Sequence, residues 1–302
     1  MNHFCTISTV SHLYKVYALA QSLKEQGKDF ALHILVLDGP RGEDNPNLRW
    51  YSINDVKNTG VAPIIISKYK NQKDRLRWAL KPVLMNFLLA NPAIEKIIYL
   101  DNDLYFFSDY SFLFDRLNIY SIILTPHYYK TDPESGQNWL EANLRAGLYN
   151  AGFIGGNRKG AGTLKWWAEC CAYRCEKNSL RGLFDDQKYL DLIPVIDESA
   201  FMIRHKGCNL AGWNIETCRR EMVDGEVKID GQYPVVFIHF NDITVRRIFN
   251  GEDALLKPHY EKYENTLKQF KPGLKRSELL KPEPAKDKMK YMVWKFLTER
   301  RF

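Results

Sequence analysis

The stretch Lys96-Ile97-Ile98-Tyr99-Leu100-Asp101-Asn102-Asp103-Leu104-Tyr105-Phe106-Phe107 governs how the rest of the chain is read. Its first five residues form the apolar run of a strand buried on both faces. Two carboxylates follow at i and i+2. Extended geometry puts Asp101 and Asp103 on one side and directs Asn102 elsewhere. Alone, Asp-x-Asp is equally a solvated turn. Held between a buried strand and an aromatic run, the two carboxylates would repel each other unless a hard cation sat between them.

Working outward toward the amino terminus, Phe4 to Thr9 reads as a strand. Tyr14 to Lys24 is a helix with Val16, Leu19, Ala20 and Leu23 on one face, and Ala31 to Leu37 is a nearly continuous apolar strand ending at the turn Asp38-Gly39-Pro40. Asn47 to Ser52 adds a further strand. Trp78 to Ala90 is a helix that best accommodates Pro82 near its first turn. This β-α-β-α-β order predicts an α/β fold with a mostly parallel central sheet, helices flanking it and ligands at the carboxyl ends of its strands.

Toward the carboxyl terminus come a strand at Tyr120 to Leu124, a polar loop at Thr131 to Gln137, and the glycine-punctuated segment Tyr149 to Asn157. A helix spans Thr163 to about Glu176, Asp185-Asp186-Gln187 opens another, and Val235 to Phe240 is the last buried strand. Gly152, Gly155 and Gly156 read as turn formers. Neither a Gly-x-Gly-x-x-Gly after the first strand nor a phosphate loop is present, which disfavours a Rossmann dinucleotide site and a P-loop.

Length and composition fit this picture. The 302 residues, 45% of them hydrophobic, suffice for one large domain or two modest ones, and 13% aromatics with 13 prolines exclude a disordered or fibrous chain. No apolar run approaches a membrane span, and the start carries no secretory signal, so a cytoplasmic location is expected. The six cysteines lack Cys-x2-Cys spacing and read as free thiols. The net charge of +7 lies almost wholly in residues 271–302, which hold ten basic against four acidic side chains.

His239 stands near the end of its apolar strand. It reads either as a satisfied core residue or as a ligand reaching the crevice of the sheet. Two Asp oxygens and one imidazole nitrogen would suit Mn2+ or Mg2+, with water and phosphate oxygens completing the shell.

Five segments in order, IIYLDNDLYFF, YNAGFIGGN, FDDQKYLD, NLAGWNI and IHF, cover roughly residues 4–245. Together they resemble retaining glycosyltransferases of the GT-A fold, in particular family 8, the glycogenin and bacterial lipopolysaccharide galactosyltransferase type. The resemblance implies Asp101, Asp103 and His239 as ligands of a divalent metal on the donor diphosphate. Asn150 would lie near the donor or acceptor sugar, Asp186 would orient donor hydroxyls, and Gln187 would sit beneath the anomeric carbon. Thr6, Ile7 and Ser8 would receive base and ribose. Lys81 would take the place of a basic residue reaching the donor. Asn102, within the acidic motif, belongs to the same donor set. Asp38 either touches the nucleotide or starts a turn.

The chain departs from the family's Phe-x-Gly-x-x-Lys-Pro-Trp continuation. Phe240 leads into Asn241-Asp242-Ile243-Thr244, so Lys257, Arg246 and Arg247 compete for the diphosphate-contacting role. Asp185-Asp186 could equally be an acidic first turn meeting a helix dipole.

The resulting expectation is a metal-dependent hexosyltransferase over residues 1–258, using a nucleotide-diphosphate sugar, UDP-linked by resemblance, and a glycan or lipid-linked acceptor, with retention. An inverting transferase, a nucleotide-sugar hydrolase and a noncatalytic sugar- or nucleotide-binding protein are the alternatives. Residues 259–302 form a basic extension. Within it, 286–302 places Met289, Met292, Val293, Phe296 and Leu297 on one helical face, suited either to an anionic membrane surface, as a peripheral protein at the inner face of the cell membrane, or to packing on the body. No nucleic-acid module is present, so no nucleic-acid partner is expected.

Overall fold

The computed structural model describes residues 1–43 and 45–280. The amphipathic helix expected over 286–302 lies outside the described residues. β1 (Asn2–Ser8) leads through α1 (Leu13–Glu25) to β2 (Phe30–Val36), buried throughout, and then to β3 (Leu48–Ser52). Four helices, α2 (Ile53–Val56), α3 (Ala62–Tyr69), α4 (Lys73–Ala79) and α5 (Lys81–Leu89), return the chain to β4 (Lys96–Leu100). The helix expected over Trp78–Ala90 is therefore two helices meeting at Leu80. Pro82, which cannot occupy a helix interior, sits in the first turn of α5.

Next come β5 (Leu104–Phe106), α6 (Ser111–Ile119), β6 (Ile122–Pro126), α7 (Gln137–Ala146), β7 (Tyr149–Asn157) and α8 (Ala161–Tyr173). A hairpin of β8 (Glu176–Asn178) and β9 (Leu183–Asp185) precedes the short α9 (Ile193–Ile196) and β10 (Ala200–Met202). The rest is a meander of β11 (Arg220–Val223), β12 (Glu226–Ile229) and β13 (Tyr233–Pro234), then β14 (Phe237–His239), α10 (Asp242–Phe249), α11 (Lys257–Phe270) and α12 (Arg276–Leu279).

The central sheet has the order β10-β6-β7-β4-β1-β2-β3 and is mostly parallel, flanked by helices. Alternation along each strand sends side chains to opposite faces. Ile98 and Leu100 join Leu32, Ile34 and the α1 and α6 residues Leu19 and Leu113, whereas Ile97 and Tyr99 join Leu35 and the α5 and α8 residues Leu84 and Trp167. A third apolar cluster binds the end of the described chain to the body, with Tyr260, Tyr263 and Leu267 of α11 packed with Ala18 of α1 and Tyr105 of β5.

Within this sheet only β7 runs against its neighbours, β4 and β6. The glycine-punctuated segment is thus a buried strand rather than a series of turns. Its glycines make room: a Cβ on Gly155 would stand 2.6 Å from Ile123 Cγ1. Reversal brings the amino-terminal end of β7 to the edge where β1, β2, β4 and β6 end. Asn150 and Gly152 thereby reach Asp101.

Candidate active site

Two pairings assemble the site. The Asp101 amide donates to the Gly152 carbonyl at 2.8 Å as the chain leaves β4. Beyond Asp103, β5 pairs antiparallel with β14 in a separate two-stranded ribbon, setting Leu104 opposite His239. His239 therefore enters from this ribbon and not from the central sheet. Its Nε2 lies 3.1 Å from Asp103 Oδ1. One ligand atom from each of Asp101, Asp103 and His239 falls within 4.8 Å of the others. Gly152 floors this cluster, since a Cβ there would lie 2.6 Å from His239 Cε1 and 3.0 Å from Asp101 Oδ2. Asn102 faces away and donates to Ser8 Oγ at 3.1 Å.

Charge is tightly balanced here. Burial penalises both members of the Asp103–His239 pair, but each favours the other's charged form, leaving the aspartate pKa lowered and the histidine pKa raised. Lys81 is 2% exposed and donates to the Ala151 carbonyl at 2.9 Å, with Asp186 Oδ2 at 3.3 Å and Asp101 Oδ1 at 3.4 Å. Its burial disfavours the ammonium, yet those two carboxylates raise its pKa. Asp186 is the converse: burial pushes it up to about 6, against the pull of Lys81. The Tyr99 hydroxyl donates to Asp101 at 2.9 Å. The Arg77 guanidinium is likewise held charged, against burial, by Asp101 and Tyr99.

On the other side, Gln187 Oε1 accepts from Asn150 Nδ2 and from the Ala151 amide, both at 3.2 Å, while its Nε2 donates to the Ala146 carbonyl at 2.9 Å. Asn150 Oδ1 accepts from the Gly152 amide at 3.0 Å, which points its side chain at the floor of the site. His127 Nδ1 lies 2.9 Å from the Gly147 carbonyl and so carries the proton, leaving Nε2 to accept from Asn150 Nδ2 at 3.2 Å. Burial lowers the His127 pKa to about 3, so the ring is neutral. Trp213 packs edge-on to both His127 and His239, with centroids 5.4 Å away in each case. The loop carrying it is pinned by Arg220, which donates to the Ala211 carbonyl at 2.9 Å and pairs with buried Asp253 at 3.2 Å.

Beside the cluster lies a cleft of about 580 Å³, bordered by Thr9, His12, Asp38, Arg75, Trp78 and Asp185. Asp38 accepts from the Val10 amide at 2.9 Å and from Lys73 at 2.7 Å, so it braces the loop after β1. Thr6, Ile7 and Ser8 are buried within β1 and do not border the cleft, which Thr9 does. Lys257 opens α11 and lies 3.9 Å from Glu261, and Arg247 faces Glu252 at 3.5 Å. Arg246 pairs with Asp242 at 3.0 Å. Asp185 ends β9 at a φ of 50°, and Asp186-Gln187 lead into a 3-10 turn, so no α-helix starts here. Arg77, His127 and Gly152 were not read from the sequence as site residues. Only the glycine left a signal, through its place in Asn-x-Gly.

No protein-family profile matches the chain. Two curated relatives from Bacillus subtilis (strain 168) span nearly its whole length: the uncharacterized protein YfnF, 27% identical over 93% of this chain and 95% of its own, and the uncharacterized protein YfnD, 28% identical over 89% of each. Similar solved structures include galactosyltransferase LgtC in complex with donor and acceptor sugar analogs (TM-score 0.48, 14% identity, 78% of this chain and 86% of that one). Mouse xyloside xylosyltransferase 1 has a TM-score of 0.49 at 14% identity, over 80% of this chain and 98% of that one. The bifunctional glycosyltransferase WbbM has a TM-score of 0.49 at 13% identity, over 88% and 49%.

Proposed function

We propose that this chain is a metal-dependent glycosyltransferase that moves a hexose from a UDP-sugar to a hydroxyl of a glycan or lipid-linked acceptor, with retention. The observation that carries the reading is the convergence of Asp101, Asp103 and His239 beside an open cleft at the carboxyl ends of the parallel strands. Two carboxylates and an imidazole fit a hard divalent ion such as Mn2+ or Mg2+. His239 Nδ1, buried and without a hydrogen-bond partner, leaves one of the ring's nitrogens uncommitted. Such an ion would offset the charge that gathers on a departing diphosphate.

The chain's own groups supply the rest. Arg75, bordering the cleft, and Arg77, acting on Asp101 and Asp103, add positive potential for the diphosphate. The Gln187 amide is fully engaged by Asn150, Ala151 and Ala146, and Asp186 is tied to Lys81, so neither is poised as a nucleophile. This favours a front-face route, in which the leaving phosphate takes the acceptor proton. Asp186 and Asn150 would orient donor hydroxyls. On this reading residues 1–258 form the catalytic body, and the basic tail would meet an anionic membrane surface at the cytoplasmic side. Among the described residues no helix is long and apolar enough to cross a membrane.

The test is calorimetric titration with UDP, GDP and CMP, each with and without Mn2+. Tight binding of UDP only when Mn2+ is present is expected. Metal-independent binding, or none, would reject the proposal.

A further inference from the structure

Lys81 is unusual among the site's charges because the protein itself takes up its binding capacity. Its ammonium donates to the Ala151 carbonyl and pairs with two carboxylates, Asp186 at 3.3 Å and Asp101 at 3.4 Å. A side chain 2% exposed and so held does not extend into the cleft. Asp101 and Asp186 come from different parts of the chain, one following β4 and the other following β9, and this single ammonium bridges them. Asp101, Asp103 and Asp186 carry three negative charges when ionised. Lys81 offsets one of them from inside the cluster, Arg77 and Lys15 add positive charge from beside it, and a divalent ion would add more.

We propose that Lys81 is the internal counter-ion of this acid cluster, competing with a divalent metal for Asp101 while tying Asp186 to the metal centre, so that the metal binds firmly only together with a diphosphate. This rests on the function proposed above and adds to it a positioning residue and an order of binding. The physical reason is charge. A bare ion approaching Asp101 meets a fixed positive charge on the same carboxylate, 3.4 Å from Oδ1, in a site where such repulsion is weakly screened. Diphosphate oxygens arriving with the ion supply the negative charge that Lys81 has taken up.

The experiment is Mn2+ titration followed by the electron paramagnetic resonance of the free ion, with and without UDP. In Lys81→Met, bare Mn2+ should bind about tenfold more tightly, and UDP should add less to that affinity than in the wild type. A merely structural lysine predicts the opposite, a loosened site with weaker Mn2+ binding, and that result or an unchanged affinity overturns the proposal. Lys81→Met leaves Asp186 buried without its cation and could fail to fold, so the same comparison is made between Asp186→Asn and the double variant Lys81→Met/Asp186→Asn. There too, loss of Lys81 should tighten bare Mn2+ binding, and weaker or equal binding overturns the proposal. If wild type takes up no Mn2+ even with UDP, the glycosyltransferase reading fails and this inference with it. Mn2+–UDP binding that is indifferent to Lys81 removes the inference alone.

Discussion

Gly152 carries more constraint than its size suggests. A single added methyl would press on His239, Asn150 and Asp101 together, at 2.6, 2.7 and 3.0 Å. Gly152→Ala should therefore cost about 1–3 kcal/mol of stability and lower Mn2+-dependent UDP binding at least about tenfold, measured by urea unfolding and calorimetry. Asp103→Asn removes a charge while keeping the shape, and turnover should fall about a hundredfold or more in a donor-consumption assay, with the fold intact by circular dichroism. Asp101, Asp103 and His239 were legible in the sequence because charged or titratable groups adjoining apolar strands are anomalies that need a reason. Arg77 and His127 were not, since an arginine in an amphipathic helix and a histidine after a strand look ordinary until packing brings them to the site.

At the scale of elements, β7 accounts for most of what the sequence obscured. Its glycines resembled turn signals because nothing local reveals which neighbours need the space. Gly155 faces Ile123 and Leu117, core side chains without freedom to retreat. Gly155→Val should destabilise by about 1–3 kcal/mol through overpacking, a loss visible as a lowered denaturant midpoint. By contrast, a Cβ on Gly162, near the start of α8, meets nothing within 4 Å, so Gly162→Ala should be neutral or slightly stabilising by the same measurement. The strands β2 and β4 were legible for the converse reason: their apolar runs are nearly continuous, as strands covered on both faces require.

For the molecule as a whole, acid sensitivity is built into its core. Burial, the neighbouring His3 and Arg49 hold the His33 pKa to about 3, and burial does the same to His127. Both stay neutral in the folded state while the unfolded chain protonates below about pH 6.5. Their stability contribution is therefore complete above that pH and declines as pH falls toward 3, by about 1.4 kcal/mol per unit for each ring. His239, raised beside Asp103, opposes the trend because its folded form binds its proton more readily. His259, which burial lowers to about 4, adds to the loss, so the stability measured by urea unfolding is expected to fall between pH 7.5 and pH 5. The mostly parallel architecture was readable from alternating strand and helix patterns. The separate ribbon holding His239 was not, because β5 is three residues long and its partner lies far along the chain.

That ribbon also sets a timetable. Leu104 pairs with His239 across more than a hundred residues of sequence, so a nascent chain displays Asp101 and Asp103 long before their histidine neighbour exists. Bringing the three side chains together waits on the synthesis of residue 239, and any product of premature termination short of it lacks the cluster.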